Sequence, residues 1–480
     1  MELEDRLSFP WIIEKPATNM TLVMVDGNEH PSHGHAVEKI YLSAKALGIS
    51  LLVLDNSGHW LEGSEFQDWR EQFLPTKLVQ PPDKGMTDRI VASIKQYGGR
   101  IDGIVTFRDS YKRCVAEVAQ QLFLPTSKAE AYEIATDKHK LSVFEGREAY
   151  RIRSEADAAR ASSQIHSLWP VMLKPCSGSS SNACFRVGDA AELQQVYRKL
   201  QSAESPFHGA EFVIEPFCYG PEVIANYVLL DGEILFSEFM DTFPKTAELD
   251  PPETERTKTF VEQDMVVPTA LPSTEIDTLR TSFLSSLLRL GIRNGILHLE
   301  GRVSHSTMGY NVEDGILDLH PLHSVSAVPP SPWLIEINPR PPASTVSEMT
   351  QLTYGIDYWG LALVLALDDK QRAQALSQAY HNGPRYTTVM VVIQAEYDKF
   401  SCEGIFDSDD ICLDLLSRRP DLAKHISRCG CFIKRGQRVP HPSSGRNRWL
   451  AYFDVFSRKG RSAALQVAKE VREEVRFSFR

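Results

Sequence analysis

The alternation of apolar and polar positions gives the first third of the chain a strand–helix–strand rhythm. Thr21-Leu22-Val23-Met24-Val25-Asp26 is a short apolar run closed by Asp-Gly-Asn, which predicts a strand and a turn. His35 to Leu47 has helical periodicity and stops at Gly48, a residue suited to a helix C-cap. Ser50 to Leu54 is a second apolar run, again closed by polar turn residues, and Ile101 to Thr106 predicts a later strand followed by a helix over Tyr111 to Leu122. Strands alternating with helices in this way predict a parallel sheet with helices on its faces, in an α/β domain over residues 1–125.

Two later stretches lose this regularity. Pro244 to Pro272 is rich in Pro, Thr and Glu and reads as a loop near a site; Gly301 to Pro332 mixes Gly, His, Ser and Pro and reads as an insertion between two strands. Beyond Asp368, a helical stretch gives way to the β-forming run Tyr386 to Ile393, a strand at Trp449 to Val455 and an amphipathic helix from Ser462 to Val475. Residues 369–480 therefore predict a separate mixed α/β C-terminal subdomain. With no repeat or low-complexity tract, the 480 residues fit two to four domains or subdomains.

Composition narrows the class. A net charge of −11 argues against nucleic acid or an anionic membrane as the main partner. No run approaches the ~20 apolar residues of a membrane span, and neither end carries a targeting signal, so a cytoplasmic enzyme is expected. Eight scattered cysteines do not make a disulfide scaffold in a chain of this size. Cys429-Gly430-Cys431 is the only close pair; lacking a second pair or a histidine at zinc-finger spacing, it reads as a reduced pair in a strand or turn.

Four segments carry chemistry. In Trp333-Leu334-Ile335-Glu336-Ile337-Asn338-Pro339-Arg340, alternation puts Glu336 and Asn338 on one strand face, a carboxylate and an amide oxygen suited to magnesium. Arg340 shares that face if the strand persists through Pro339, and could then pair with a phosphoryl oxygen. Upstream, Gly295 to Glu300 is another strand, with Glu300 as a second carboxylate and His298 beside it without an assigned role. Pro170 to Pro175 is a strand carrying Lys174, and it runs into the small-residue loop Cys176-Ser177-Gly178-Ser179-Ser180-Ser181-Asn182-Ala183. Small residues let backbone N–H groups approach a polyphosphate, to which the lysine adds charge; no Gly-Lys-Ser/Thr follows, so this is not a P-loop. Glu211 to Glu222 is a strand and linker whose amides could bond an adenine edge, with Glu222 placed to accept from ribose hydroxyls.

In this order, from Asp137-Lys138 to Arg340, the segments resemble the ATP-grasp superfamily. The Glu-Ile-Asn-Pro-Arg and His-Leu-Glu forms look like its amino-acid ligase branch, which includes carnosine synthase, and Glu215 to Glu222 looks like the D-alanine–D-alanine ligase branch. The resemblance implies an ATP-grasp fold: an α/β protein, α+β in the ATP-binding part, with that part at 126–368 and its lid at about 165–230. It implies Lys138 and Lys174 on the ATP phosphates, with Ser177, Gly178 and Ser179 in the lid loop. Glu215, Phe217 and Cys218 map to the adenine hinge, Glu222 to the ribose, Glu300, Glu336 and Asn338 to the metal. Arg340 maps to the γ-phosphate and the acyl phosphate.

The implied cofactors are ATP and two magnesium ions, for which manganese can substitute. The implied reaction couples a small-molecule carboxylate to an amine through an acyl phosphate, and the family suggests a homodimer. Two alternatives stand beside it: an acceptor other than an amine (a thiol, a hydroxyl or bicarbonate), or an inactive nucleotide-binding protein. The intact metal triad and both lysines argue against the second. One departure concerns the substrate: Pro341-Pro342-Ala343-Ser344 stands where that branch usually has glycines, in the loop that shapes the acyl site.

Overall fold

The computed structural model describes residues 19–31, 37–165, 169–248, 260–324, 326–395, 404–440, 446 and 449–480. The first apolar runs pair side by side. Strands β1 (Met20–Val25), β2 (Ile49–Asp55), β3 (Gln72–Pro75) and β4 (Gly103–Val105) form a sheet in the order β3-β2-β1-β4. Each pairing is parallel. Alternation sorts the side chains: Leu22, Met24, Leu51 and Val53 enter one core, while Val23, Val25, Leu52 and Leu54 enter the core on the other face. The first core is covered in part by Tyr358–Ala366, a helix buried almost all round that returns from much later in the chain. The predicted helix at His35 to Leu47 is observed over Glu38–Ala46; its first two residues, 35–36, lie outside the described residues.

A second sheet is antiparallel. Strands β5 (Tyr150–Ile152), β6 (Val171–Pro175), β7 (Phe185–Val187) and β8 (Phe212–Pro216) lie in the order β5-β8-β6-β7. Helices Glu155–Gln164 and Ala190–Leu200 share its core through Ala158, Ala161, Leu193 and Tyr197. This small unit therefore runs from Tyr150 to Pro216. It starts earlier than the expected 165, because β5 pairs with β8, and ends earlier than 230, because the next strand joins another sheet.

That third sheet has eight strands. It is built from β9 (Glu222–Leu230), β10 (Glu233–Thr242), β11 (Met265–Val267), β12 (Gly295–Ser304), β15 (Ser331–Asn338), β16 (Thr387–Gln394), β18 (Ile426–Cys431) and β20 (Trp449–Ser457). The order is β15-β12-β9-β10-β11-β16-β20-β18, antiparallel throughout. The short β11 joins β10 to β16, so the longer strands of residues 369–480 (β16, β18 and β20) extend this sheet. Between β12 and β15 the expected irregular insertion is partly ordered. The first strand continues to Ser304, and β13 (Met308–Glu313) pairs with β14 (Ile316–Pro321) in a hairpin anchored by buried Leu319. The two-residue strands β17 (Gly404–Ile405) and β19 (Arg438–Val439) make a separate pair. In the Pro244–Pro272 segment, residues 249–259 lie outside the described residues.

Helix Ser273–Leu290 packs under β9, β12 and β15. Its Leu279, Phe283 and Leu287 meet Ala225, Leu299 and Ile337 in one core. Phe283 is fully buried there, so Phe283→Ala should lower stability by about 3–5 kcal/mol, read as a shift of the denaturant midpoint.

Candidate functional site

The register of β12 against β15 sets the site. Glu300 lies directly opposite Glu336, and His298 opposite Asn338, while Leu299 and Ile337 between them point into the core. Three oxygen-bearing side chains thus share one face. Lys138 Nζ stands 3.0 Å from Glu336 Oε2 and donates to the carbonyl of Gly178 at 3.3 Å. Desolvation works against its charge, but the Glu336 carboxylate outweighs it and raises the lysine's pKa. The position of Lys138 is fixed locally: it opens the helix Lys138–Phe144, Asp137 caps that helix through the Lys140 N–H, and Arg151 pairs with Asp137.

His298, left without a role by the sequence, is held by a hydrogen bond to Asn226 Oδ1 at 2.8 Å and faces Glu300 at 3.7 Å. Desolvation opposes the Glu300 carboxylate, yet the His298 hydrogen bond and the Lys245 charge hold its pKa down to about 2. Behind His298, Asn226 donates to Glu238 at 3.0 Å.

Lys174, on β6, is buried and paired with Glu215 on the neighbouring β8. The Ser142 hydroxyl also donates to Glu215. Burial pushes this carboxyl up, but Lys174 and Arg147 outweigh it and leave its pKa below the ordinary value. After β8, the chain passes Phe217 and Cys218. The Phe217 ring lies 5.0 Å from the Arg186 guanidinium and 5.3 Å from that of Arg302. Glu222 is gripped from two sides, by Lys245 Nζ at 2.6 Å and Arg302 Nη2 at 2.7 Å.

Lys245 and Arg302 were not singled out by the sequence, nor was Glu262, whose carboxyl is pushed up to about 7 by burial against the pull of Lys245. Lys245 and Glu262 sit in the irregular Pro244–Pro272 stretch, where no period betrays a site. Arg302 had a usable signal, since it follows Glu300 on the same strand at a spacing of two.

One cavity brings together Lys138, Lys174, Gly178, Ser179, Glu215, Phe217, Cys218, Glu222, Glu300, Glu336, Asn338 and Arg340. Ser177 lines an adjoining cavity that shares Gly178, Ser179, Glu336, Asn338 and Arg340 and reaches Asn28, Arg108 and Asp109 of the N-terminal domain. Arg340 does not arrive by strand alternation. The strand ends at Asn338, and beyond it Arg340 donates to Asp109 Oδ2 at 2.7 Å and to Asn338 Oδ1 at 3.3 Å. The lid loop turns through left-handed backbone at Ser180, Ser181 and Ala183.

A sheet of antiparallel strands with acidic and amide oxygens at one end, facing Lys138 and, from a small antiparallel sheet, Lys174, is the arrangement of the ATP-grasp class. The sequence of residues 41–126 matches the ATP-grasp N-terminal domain family. An "ATP-grasp enzyme fsqD" from Aspergillus fumigatus is 48% identical over 480 residues, covering 100% of this chain and 82% of that protein. The chain belongs to the ATP-grasp enzymes. Among solved structures, an L-amino acid ligase from Bacillus licheniformis superposes with a TM-score of 0.68 at 19% identity, covering 96% of this chain and 99% of that one. A phosphoribosylglycinamide synthetase from Anaerococcus prevotii does so with a TM-score of 0.59 at 14% identity, covering 96% and 100%. Among the described residues, no helix is long and apolar enough to cross a membrane.

The buried network behind the site has a pH signature. Glu238 is fully enclosed, its Oε1 accepting from Asn226, Thr350 and Tyr358, and burial pushes its carboxyl up to about 7 against those hydrogen bonds. The folded chain therefore keeps this proton at pH values where the unfolded chain has lost it. Its contribution should fall as pH rises from about 4.5 to 7, by roughly 3 kcal/mol, and stay flat above. The difference in unfolding free energy between wild type and Glu238→Gln should carry this fall across that range, whatever slope the other buried carboxyls give to both proteins.

Proposed function

We propose that this protein is an ATP- and magnesium-dependent ligase that activates a carboxylate as an acyl phosphate and joins it to an amine, releasing ADP and phosphate. The observation that carries the reading is the facing triad Glu300, Glu336 and Asn338, set in one cavity with Lys138, Lys174 and Arg340. Three hard oxygen donors on one strand face fit magnesium, which would neutralise phosphate charge during phosphoryl transfer. Lys138 and Lys174 balance what negative charge remains on the triphosphate. The strap Glu215 to Cys218 takes the adenine, and Glu222 the ribose hydroxyls.

The substrate carboxylate attacks the γ-phosphate, and the bond to the β-phosphate breaks to give ADP. Arg340 stands between the two cavities, placed to hold the transferring phosphoryl group and then the acyl phosphate. The adjoining cavity, reaching Arg108 and Asp109, is the place for the acid. An amine then attacks the acyl carbon, phosphate leaves, and the amine's proton passes to solvent. The loop Ser177 to Ser179, closing over the site, keeps water from the acyl phosphate. The acid is an amino acid or a specialised metabolite; the structural likeness to an L-amino acid ligase supports the first.

ADP release with ATP and magnesium, measured over amino acids singly and in pairs, tests this. Release should require a pair, and Glu336→Ala should reduce it by about 10²–10³-fold without loss of the folded state. Products formed only with thiol or hydroxyl acceptors would overturn the amine assignment. ATP binding without substrate-dependent ADP across the panel would count for a nucleotide-binding role.

A further inference from the structure

The C-terminal part of the chain gathers reactive side chains that the nucleotide cavity does not use. Cys429 and Cys431 alternate along β18 and so share a face of this edge strand. Against them packs the helix Ile411–Arg418, with Cys412 in its first turn and Asp410 as its cap. The cap bonds from the Cys412 and Leu413 N–H groups, 2.9 Å each, both go to Asp410 Oδ1. The Cys412 thiol is buried, lies 3.6 Å from Cys431 Sγ and is hydrogen-bonded to Cys429. Cys431 Sγ is 3.5 Å from Asp410 Oδ1. Ligand atoms of Asp410, Cys412 and Cys431 all lie within 4.8 Å of one another. Three donors from helix and strand, Asp410, Cys412 and Cys431, therefore converge on one point, and Cys429, on the same strand face and bonded to Cys412, is the fourth donor beside them.

The spacings fit a tetrahedral ion. Zinc–sulfur bonds of about 2.3 Å put two ligand sulfurs about 3.8 Å apart, and a carboxylate oxygen at about 2.1 Å falls about 3.6 Å from a sulfur. The observed separations are within a few tenths of an ångström of both. Three thiolates and one carboxylate are a borderline-soft set that selects zinc over the hard magnesium suited to Glu300, Glu336 and Asn338. With four protein ligands the site is closed, which marks a structural role and not a catalytic one. A disulfide between two of these thiols would leave the third without a covalent partner.

We propose that Asp410, Cys412, Cys429 and Cys431 bind one zinc ion, which clamps helix Ile411–Arg418 onto the edge of the eight-stranded sheet. Binding releases the thiol protons to solvent and changes no oxidation state.

The full chain, purified without chelator, should carry one equivalent of zinc. Stripped of metal and titrated with Co²⁺ under reducing conditions, it should develop thiolate-to-cobalt charge-transfer absorption and tetrahedral d–d bands that zinc abolishes. Cys412→Ser and Cys431→Ser should lose those bands, whereas Cys114→Ser, in the N-terminal core, should keep them. The wild-type titration stands even if a variant fails to fold. A folded wild-type chain that takes up no Co²⁺ with thiolate bands would overturn the proposal. So would an intact mass showing that the chain as isolated has lost two hydrogens to a disulfide among these cysteines.

Discussion

The site hangs on the pairing of β12 with β15. Alternation forces Leu299 and Ile337 into the core, nearly without exposure, and by the same stroke sends Glu300, Glu336 and Asn338 to the other face. A slip of one residue would bury the carboxylates among Phe283 and its neighbours, at a cost no partner there could offset. The hydrophobic core under the sheet is therefore what fixes the polar face above it. Two carboxylates directly opposite each other would repel. The chain answers with Lys138 on Glu336, and with His298 and the charge of Lys245 beside Glu300.

The same rule of paired charge runs through the whole cavity. Lys174 is matched by Glu215, Lys245 and Arg302 by Glu222, and Arg340 by Asp109. Breaking the Lys174–Glu215 pair or the Glu222 pairs on one side alone would strand a buried charge, which is far costlier than the pair is stabilising. A ligand that carries both signs escapes that penalty. On the proposed reading, a polyphosphate with its divalent cations would take over the lysines and the carboxylates together, exchanging one paired arrangement for another. The Lys138 contact to the Gly178 carbonyl adds a mechanical link, because it ties the loop at Gly178 to the face carrying Glu300, Glu336 and Asn338 through the same side chain.

Much of this was legible in the sequence because period-2 patterns carry it. The strands holding Glu300, Glu336, Lys174 and Glu215 are short apolar runs whose polar members stand out at fixed spacing. What escaped the sequence depends on pairing between distant segments. Nothing local says that Tyr150–Ile152 joins β8, that β11 extends the large sheet into residues 369–480, or that the helix Tyr358–Ala366 covers the N-terminal sheet. Arg340 was singled out, but the route by which it reaches the site was not legible: its place is set by the turn after Asn338 and by Asp109, from another domain. Cys412 was invisible as a partner of Cys429 and Cys431 because helix and strand meet only in the fold.

The two adjoining cavities differ in how they are built, and the difference bears on specificity. The first takes Lys174, Glu215, Glu222, Glu300, Glu336 and Asn338 from strands, where side-chain direction is set by the pleat. The second draws on Asn28, Gln80 and Pro81 of the N-terminal domain and on Pro341 to Ala343, all outside regular strands and helices. Loops change shape and length with little penalty to the core, whereas a strand position cannot move without moving its neighbours. On the proposed reading, phosphate chemistry sits on the rigid part and the acid on the adaptable part. The Pro-Pro-Ala-Ser departure after Arg340 then lies where a change of acid would be accommodated, and it leaves the metal face untouched.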